Sequence, residues 1–380
     1  MPKTRKIVGA VAQVAQHFFD TKQNLAKAID FIHEAGRSGA DIIVFSECYL
    51  GQYPYFAQYH DISGTNFDKL WTALFDGAVV VNGDECRALA EAARSARIHV
   101  VMGCNELSDE PGSATLYNTM LFFNRRGELI GRHRKLMPTN HERMVHGRGD
   151  GRDLRVYSTD IGMLGGLICY EHHMTLSKYA MAAMGEEIHV AMWPGMWRAG
   201  NPDLGERVLE ADLGEPFSCD AEVAIRAYAA ETGNFVLSAS GYTPKENISK
   251  EWRELITNLQ ADWAVGGSSI VAPGGSYLVS PVVNEERLLV AELDMNRRRL
   301  WRAWMDPMGH YSRPDVYNLQ LLDPDGRERS YSVGRPQPDS MEFQRGRNLA
   351  VHERPNANSV DGRREEIAAS RHRELGGRDQ

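Results

Sequence analysis

Long apolar runs are missing from this chain. No stretch approaches the roughly 18 continuous apolar residues of a membrane-spanning helix, so no helical span is expected. Lys3, Arg5 and Lys6 precede the run Ile7-Val8-Gly9-Ala10-Val11-Ala12 in the manner of a secretory leader. Gln13, Gln16 and His17 interrupt that run too early for one, and a soluble, cytoplasmic protein is the expectation. An excess of positive charge is missing too. Lys and Arg number 43 against 51 Asp and Glu, a net charge of −8. Phosphate binding needs a basic face, so neither nucleic acid nor an anionic membrane surface is an expected partner. Cysteine is scarce: Cys48, Cys86, Cys104, Cys169 and Cys219 form an odd, scattered set of 5. That argues against a disulfide scaffold and a Cys-rich zinc site. For all but Cys169 the expected state is a small buried hydrophobe in a reducing compartment.

What is present reads as a globular enzyme, with 42% hydrophobic and 25% charged residues. Short β-branched runs alternate with amphipathic helical patterns through the first two-thirds of the chain. Strands are expected over 7–13, 41–47, 98–104, 116–123, 163–168, 188–193 and 235–239. Asp20 is placed to cap a helix whose Leu25, Ala28, Ile29, Ile32 and Ala35 share one face. A second helix, over 85–96, has a face of Cys86, Leu89, Ala92 and Ala93. Further helices are expected over 176–184 and 221–231. Buried strands alternating with helices imply an α/β architecture of sheets covered by helices. Residues 266–275 read as a strand and turn, and 288–293 as another strand. No Pro/Gly-rich linker interrupts the chain, so 1–329 is expected to form one domain. The polar segment 330–380 holds too few apolar residues to offset its ordering entropy, and is expected to be disordered alone or ordered between subunits.

Three charged or nucleophilic residues end apolar runs. Cys169 closes Leu164-Gly165-Gly166-Leu167-Ile168 and is followed by Tyr170, Glu171, His172 and His173, too polar to continue a core. A thiol where a strand gives way to a helix is expected at the mouth of a sheet, open to solvent. It is either a structural cysteine or a nucleophile whose thiolate needs a positive neighbour or a base. Glu47 follows Ile42-Ile43-Val44-Phe45-Ser46, where partial desolvation would raise its pKa toward that of a general base; the plainer reading is a helix cap or salt-bridge partner. Lys135 sits in Arg132-His133-Arg134-Lys135-Leu136-Met137-Pro138-Thr139, ahead of Glu142 and the glycine-rich turn 147–151. Alone it reads as one more solvated charge. That turn lacks the context of a phosphate-binding loop. His172-His173 and His141 with His146 raise a metal site or a Cys–His pair, but neither spacing is a zinc pattern, and neighbouring histidines point apart.

Glu47 in Phe-Ser-Glu-Cys, Lys135 in Arg-Lys-Leu-Met-Pro-Thr-Asn-His-Glu-Arg and Cys169 in Gly-Gly-Leu-Ile-Cys-Tyr-Glu-His together resemble the nitrilase superfamily of carbon–nitrogen hydrolases. Ile188-His189-Val190-Ala191-Met192-Trp193-Pro194 and Gly309-His310-Tyr311-Ser312-Arg313-Pro314 extend the resemblance, and Tyr53-Pro54-Tyr55 points to its nitrilase branch. Tyr170 departs from the tryptophan usual there. The resemblance implies a four-layer α-β-β-α sandwich of two mixed sheets flanked by helices, needing no cofactor and no metal. It implies a Glu47–Lys135–Cys169 triad with Glu142 as a supporting carboxylate, a small-molecule nitrile as substrate, and a homo-oligomer, in some relatives a spiral or filament. Tyr53, Tyr170 and Trp193 are candidate pocket residues, Trp193 equally readable as core. The alternatives are an amidase or carbamoylase with the same triad, a cyanide-hydrolysing enzyme, and a silent assembly subunit. His310 is expected to be structural. Substrate preference is expected to reside in the loops 52–65 and 195–213.

Overall fold

The computed structural model describes residues 5–58, 65–195, 220–255, 264–322 and 328–331. Cys219, most of the loop 195–213, part of the loop 52–65 and the segment from 332 onward lie outside the described residues. Two mixed sheets dominate. The first is 7-stranded, with Arg287–Asp294, Lys6–Gln13, Ile42–Val44, His99–Leu107, Leu116–Phe123 and Leu129–Arg134 in spatial order and Val79–Val80 paired to His99–Leu107. The second is 6-stranded, running Tyr277–Val283, Gly266–Val271, Phe235–Ser240, Ile188–Trp193, Gly162–Ile168 and Tyr157–Thr159. In each, the central strands are parallel and the outer ones antiparallel.

The period-2 alternation of strands explains the layering. In the first sheet, Ile7, Val11, Ile42, Val44, Val101, Met120 and Phe122 belong to the cluster shared with the second sheet. Their neighbours Ala10, Ala12, Ile43, Val100, Met102, Leu121 and Phe123 face the other way, into a cluster with Ala28, Ile32 and Ala35 of helix Thr21–Arg37 and with Cys86, Leu89, Ala92 and Ala93 of helix Asp84–Ala96. The latter four are the face expected from the sequence. Asp20 caps the first helix by accepting from the Gln23 N–H at 2.9 Å. On the second sheet, Ala180 and Met181 of Thr175–Ala183 and Ile225, Tyr228 and Ala229 of Asp220–Thr232 join the inter-sheet cluster. The order is helix, sheet, sheet, helix, as the resemblance implied. A separate hairpin pairs Leu319–Leu322 with Glu328–Tyr331, spanning the boundary expected at 329.

One strand is shorter than the sequence suggests. The run expected over 41–47 leaves the sheet after Val44, and Ser46 to Cys48 turn over the neighbouring strand, with Cys48 at φ +48°. Gly103 makes this possible, because a Cβ there would collide with the Ser46 carbonyl oxygen. Gly103→Ala is therefore expected to destabilise by about 1–3 kcal/mol, the usual cost of overpacking, read as a lowered urea midpoint. An unchanged midpoint would mean that the turn has room to shift.

Candidate active site

Glu47 lies in the turn just described, where its backbone N–H donates to the Trp193 carbonyl of the other sheet at 3.3 Å. Lys135 follows strand Leu129–Arg134 directly. Its N–H donates to the Asn118 carbonyl and its own carbonyl accepts from Gly149, both at 2.8 Å. The glycine-rich turn thus packs on the lysine's backbone, and a Cβ on Gly149 would strike the Arg134 carbonyl. Glu142 sits in the short helical turn Asn140–Met144, and the Thr139 N–H donates to its Oε2 at 2.9 Å. Cys169 ends strand Gly162–Ile168 at φ +54° and opens the turn Cys169–His173.

The expected exposure of Cys169 is wrong. The residue is 2% exposed. Glu171 and His172 after it fold inward, and both have partners there, while His173 stays exposed. Glu171 accepts from the Leu136 N–H at 2.8 Å, the Ile168 N–H at 2.7 Å and His133 Nε2 at 2.8 Å. One buried carboxylate therefore fastens the cysteine strand to the segment that follows Lys135.

Around Lys135 the geometry is tight. Its Nζ donates to Glu47 Oε1 at 2.7 Å and to Glu142 Oε2 at 2.8 Å, with all three side chains out of water. Asn118 Nδ2 spans the same carboxylates, 2.6 Å from Glu47 and 2.8 Å from Glu142. Glu142 collects two further partners, His146 Nδ1 at 3.1 Å and the Tyr53 hydroxyl at 3.3 Å. Glu47 has fewer: its Oε2 is buried without a hydrogen bond. The two carboxyls diverge accordingly. Burial pushes Glu47 up to about 7 against the pull of Lys135, while Lys135 and His146 overcome the burial of Glu142 and hold it well below the usual carboxylate range. Lys135, flanked by two carboxylates, is held well above its ordinary value despite its burial. Burial raises the Cys169 thiol, as does the charge of Glu47, while Lys135 and a hydrogen bond from the Tyr170 N–H favour the thiolate. A base, a cation and a thiol thus lie within electrostatic reach of one another.

The three pocket candidates separate. Tyr53 is buried against the cluster, with its ring centre 5.9 Å from Lys135 Nζ. Tyr170 is half-buried, its ring 5.1 Å from that of His173, so its backbone rather than its phenol reaches the thiol. Trp193 is a core residue, 3% exposed, stacked on His172 at 5.0 Å. Its indole N–H is buried without a partner, and the ring also lines a small cavity with Ser240 and Tyr277. His172 and His173 point apart as expected, one buried and the other exposed, and His146 is buried while His141 is exposed. His310 is exposed, its Nε2 3.2 Å from the Trp304 carbonyl. Among the described residues, no group of three or more His, Cys, Asp or Glu is arranged to hold a metal ion, and no helix is long and apolar enough to cross a membrane. The sequence reading missed Asn118, the contact of His146 with Glu142 and the bracing role of Glu171. A polar residue inside an apolar strand is the signal that marks Asn118, in Leu116-Tyr117-Asn118-Thr119-Met120.

Comparison with known proteins agrees with this arrangement of elements. Residues 10–303 match the Carbon-nitrogen hydrolase family, and the chain belongs to it. It is 37% identical over 313 residues to Nitrilase 2 from an unknown prokaryotic organism, covering 82% of this chain and 91% of that one. Against the aliphatic nitrilase of Rhodococcus rhodochrous the identity is 34% over 324 residues, 84% of this chain and 80% of the other. The fold is shared with the carbon-nitrogen hydrolase from Helicobacter pylori at a TM-score of 0.59 and 18% identity, over 79% of this chain and 94% of that one.

The opposed carboxyls give stability a signed pH dependence. Glu142, held low, contributes stability that is present above the unfolded value of 4.5 and is lost as pH falls below it. Glu47, held up, costs stability as pH rises from 4.5 to about 7. The stability of Glu47→Gln relative to that of the parent should therefore rise from pH 5 to pH 8 in urea unfolding, whatever the offset between the two. A relative loss over that range would contradict the raised carboxyl.

Proposed function

We propose that the protein is a nitrilase, hydrolysing an organic nitrile to the carboxylic acid and ammonia without a cofactor. The observation that carries this reading is the Lys135 ammonium held between two unlike buried carboxyls, in electrostatic contact with a buried thiol. Glu47 Oε2 has no other donor and takes the Cys169 proton. The sulfur then bonds to the nitrile carbon, and the nitrogen receives that proton to give a thioimidate. Lys135 and the Tyr170 N–H face the charge that develops on the attacked group. A water, deprotonated by Glu47, adds to the thioimidate carbon. Collapse of the adduct expels ammonia and leaves a thioester, which a second water hydrolyses to the acid and the free thiol. Glu142, kept ionised, holds Lys135 charged and in place. Tyr53 borders the reacting centre. The 33–37% identity to proteins named nitrilases supports the nitrile over the amide as substrate.

We also take the protein to act as a cytoplasmic homo-oligomer whose polar tail, 330–380, contacts neighbouring subunits. The exposed apolar side chains of Leu176, Val223, Leu300 and Trp304 support a further interface. Truncation at 330 should then lower the particle size on a sizing column; an unchanged size would remove the tail from assembly.

Cys169→Ala should reduce ammonia release from every nitrile to background while circular dichroism stays unchanged. Retained turnover would remove the nucleophile. With the parent protein, kcat/KM for nitriles should rise through an acid limb near pH 7 and exceed that for the matching amides. Faster release of ammonia from the amides would make the protein an amidase.

A further inference from the structure

A second buried polar chain begins on the far side of Cys169, and the scheme above leaves it without a role. His172 Nδ1 lies 2.7 Å from the Cys169 carbonyl oxygen, and His172 Nε2 lies 2.9 Å from His189 Nε2. His189 Nδ1 is in turn 2.8 Å from Glu186 Oε1. The other oxygen of Glu186 accepts from the Tyr228 hydroxyl at 2.5 Å and from Asn234 Nδ2 at 3.0 Å. His172 is 1% exposed, and His189, Glu186 and Tyr228 are 0% exposed. His172 stacks on Trp193 and His189 on Tyr228, at 5.0 and 3.7 Å between ring centres.

The protons in this chain can be placed by elimination. A carbonyl oxygen only accepts, so His172 carries its proton on Nδ1. Burial and the neighbouring His189 both disfavour a charge on His172, which leaves its Nε2 bare. His189 must then donate from Nε2. Glu186 Oε1 holds the other nitrogen of His189, Nδ1, at 2.8 Å, which leaves Nε2 to face His172. The order of donation is fixed from His189 to the cysteine backbone.

That carbonyl belongs to the same peptide group as the Tyr170 N–H. All described peptides are trans, so the two point to opposite sides of one rigid plane. The Tyr170 N–H is the group that bonds the Cys169 sulfur. Holding the oxygen on one side aims the hydrogen on the other, at a residue whose positive φ is otherwise unfavourable for a side chain. We propose that Glu186, His189 and His172 are positioning residues that pin the Cys169–Tyr170 peptide, so that the Tyr170 N–H faces the charge developing on the substrate. This rests on Cys169 being the nucleophile.

Two measurements test it. In protein carrying 15N-histidine, nitrogen–proton correlation spectra should show His172 protonated on Nδ1 alone and His189 carrying a proton on Nε2. A His172 proton on Nε2, or a His189 without one there, overturns the proposal whether or not Cys169 is the nucleophile. In kinetics, His172→Leu should lower kcat about 10- to 100-fold with KM unchanged, less than the loss of a whole oxyanion donor. His172→Asn, whose amide N–H stands near the lost Nδ1–H, should restore most of that loss. Equal losses in the two variants, or losses carried in KM, overturn it. If His172→Leu does not fold, His189→Leu takes its place: it removes the donor that fixes the tautomer, and an unchanged kcat overturns the proposal. Full activity of Cys169→Ala would instead dismiss the nucleophile and leave the spectra as they are.

Discussion

An ammonium group sealed from water between two carboxylates is the constraint from which the rest of this site follows. Lys135 has no exposed side-chain surface, and neither do Glu47 and Glu142. Such clusters contribute little to folding, yet removing one partner typically costs about 3–5 kcal/mol, because a charge is left uncompensated in a dry place. The fold must therefore hold all three from outside. Asn118 bridges the carboxylates, the Thr139 N–H fixes Glu142, and Gly149 packs on the lysine's backbone. The inequality between the carboxyls arises from these surroundings: Glu142 is crowded with donors, and Glu47 keeps one oxygen unused. Division of labour between two identical functional groups is thus written in their hydrogen-bond counts.

Much of the scaffold was legible in the sequence because it repeats a simple period. The face of helix Asp84–Ala96 and the extent of strand Leu116–Phe123 coincide with the reading of apolar spacing. The turn at Glu47 was not legible, since it depends on the missing side chain of Gly103, which lies in another strand. Nor was the burial of Cys169. Tyr170 to His173 look like a surface by composition, and only the partners that come from distant segments, Leu136, His133 and His189, show why Glu171 and His172 lie inside. Taken singly, Glu47 and Lys135 each had an equally plain structural reading. Their order and neighbouring residues, matched to a family, drew them together before any geometry did.

Glu171 shows how such a site is kept in register. Its carboxylate accepts backbone N–H groups from both Ile168 and Leu136, one beside the thiol and the other beside the ammonium. Two strand ends from different sheets thereby share a single anchor, and His133 completes its coordination from within the lysine strand. Hydrogen bonds to a charged acceptor are among the stronger ones, and here they act on main chain, which cannot change rotamer.

The sulfur rides on one sheet and the carboxylate that would receive its proton rides on the other, and the seam between those sheets is mostly greasy. Val11, Val44, Val101, Met120 and Phe122 meet Ile168, Val190 and Leu237 there without directional bonds. Dispersion and water exclusion tolerate small sliding motions that a hydrogen-bond ladder would resist. Reactivity in this molecule is therefore a gauge of how its halves are seated. Heat, solvent or pressure strong enough to slip the seam past the Glu171 anchor would part the Glu47 carboxyl from the sulfur while every helix and strand is still intact.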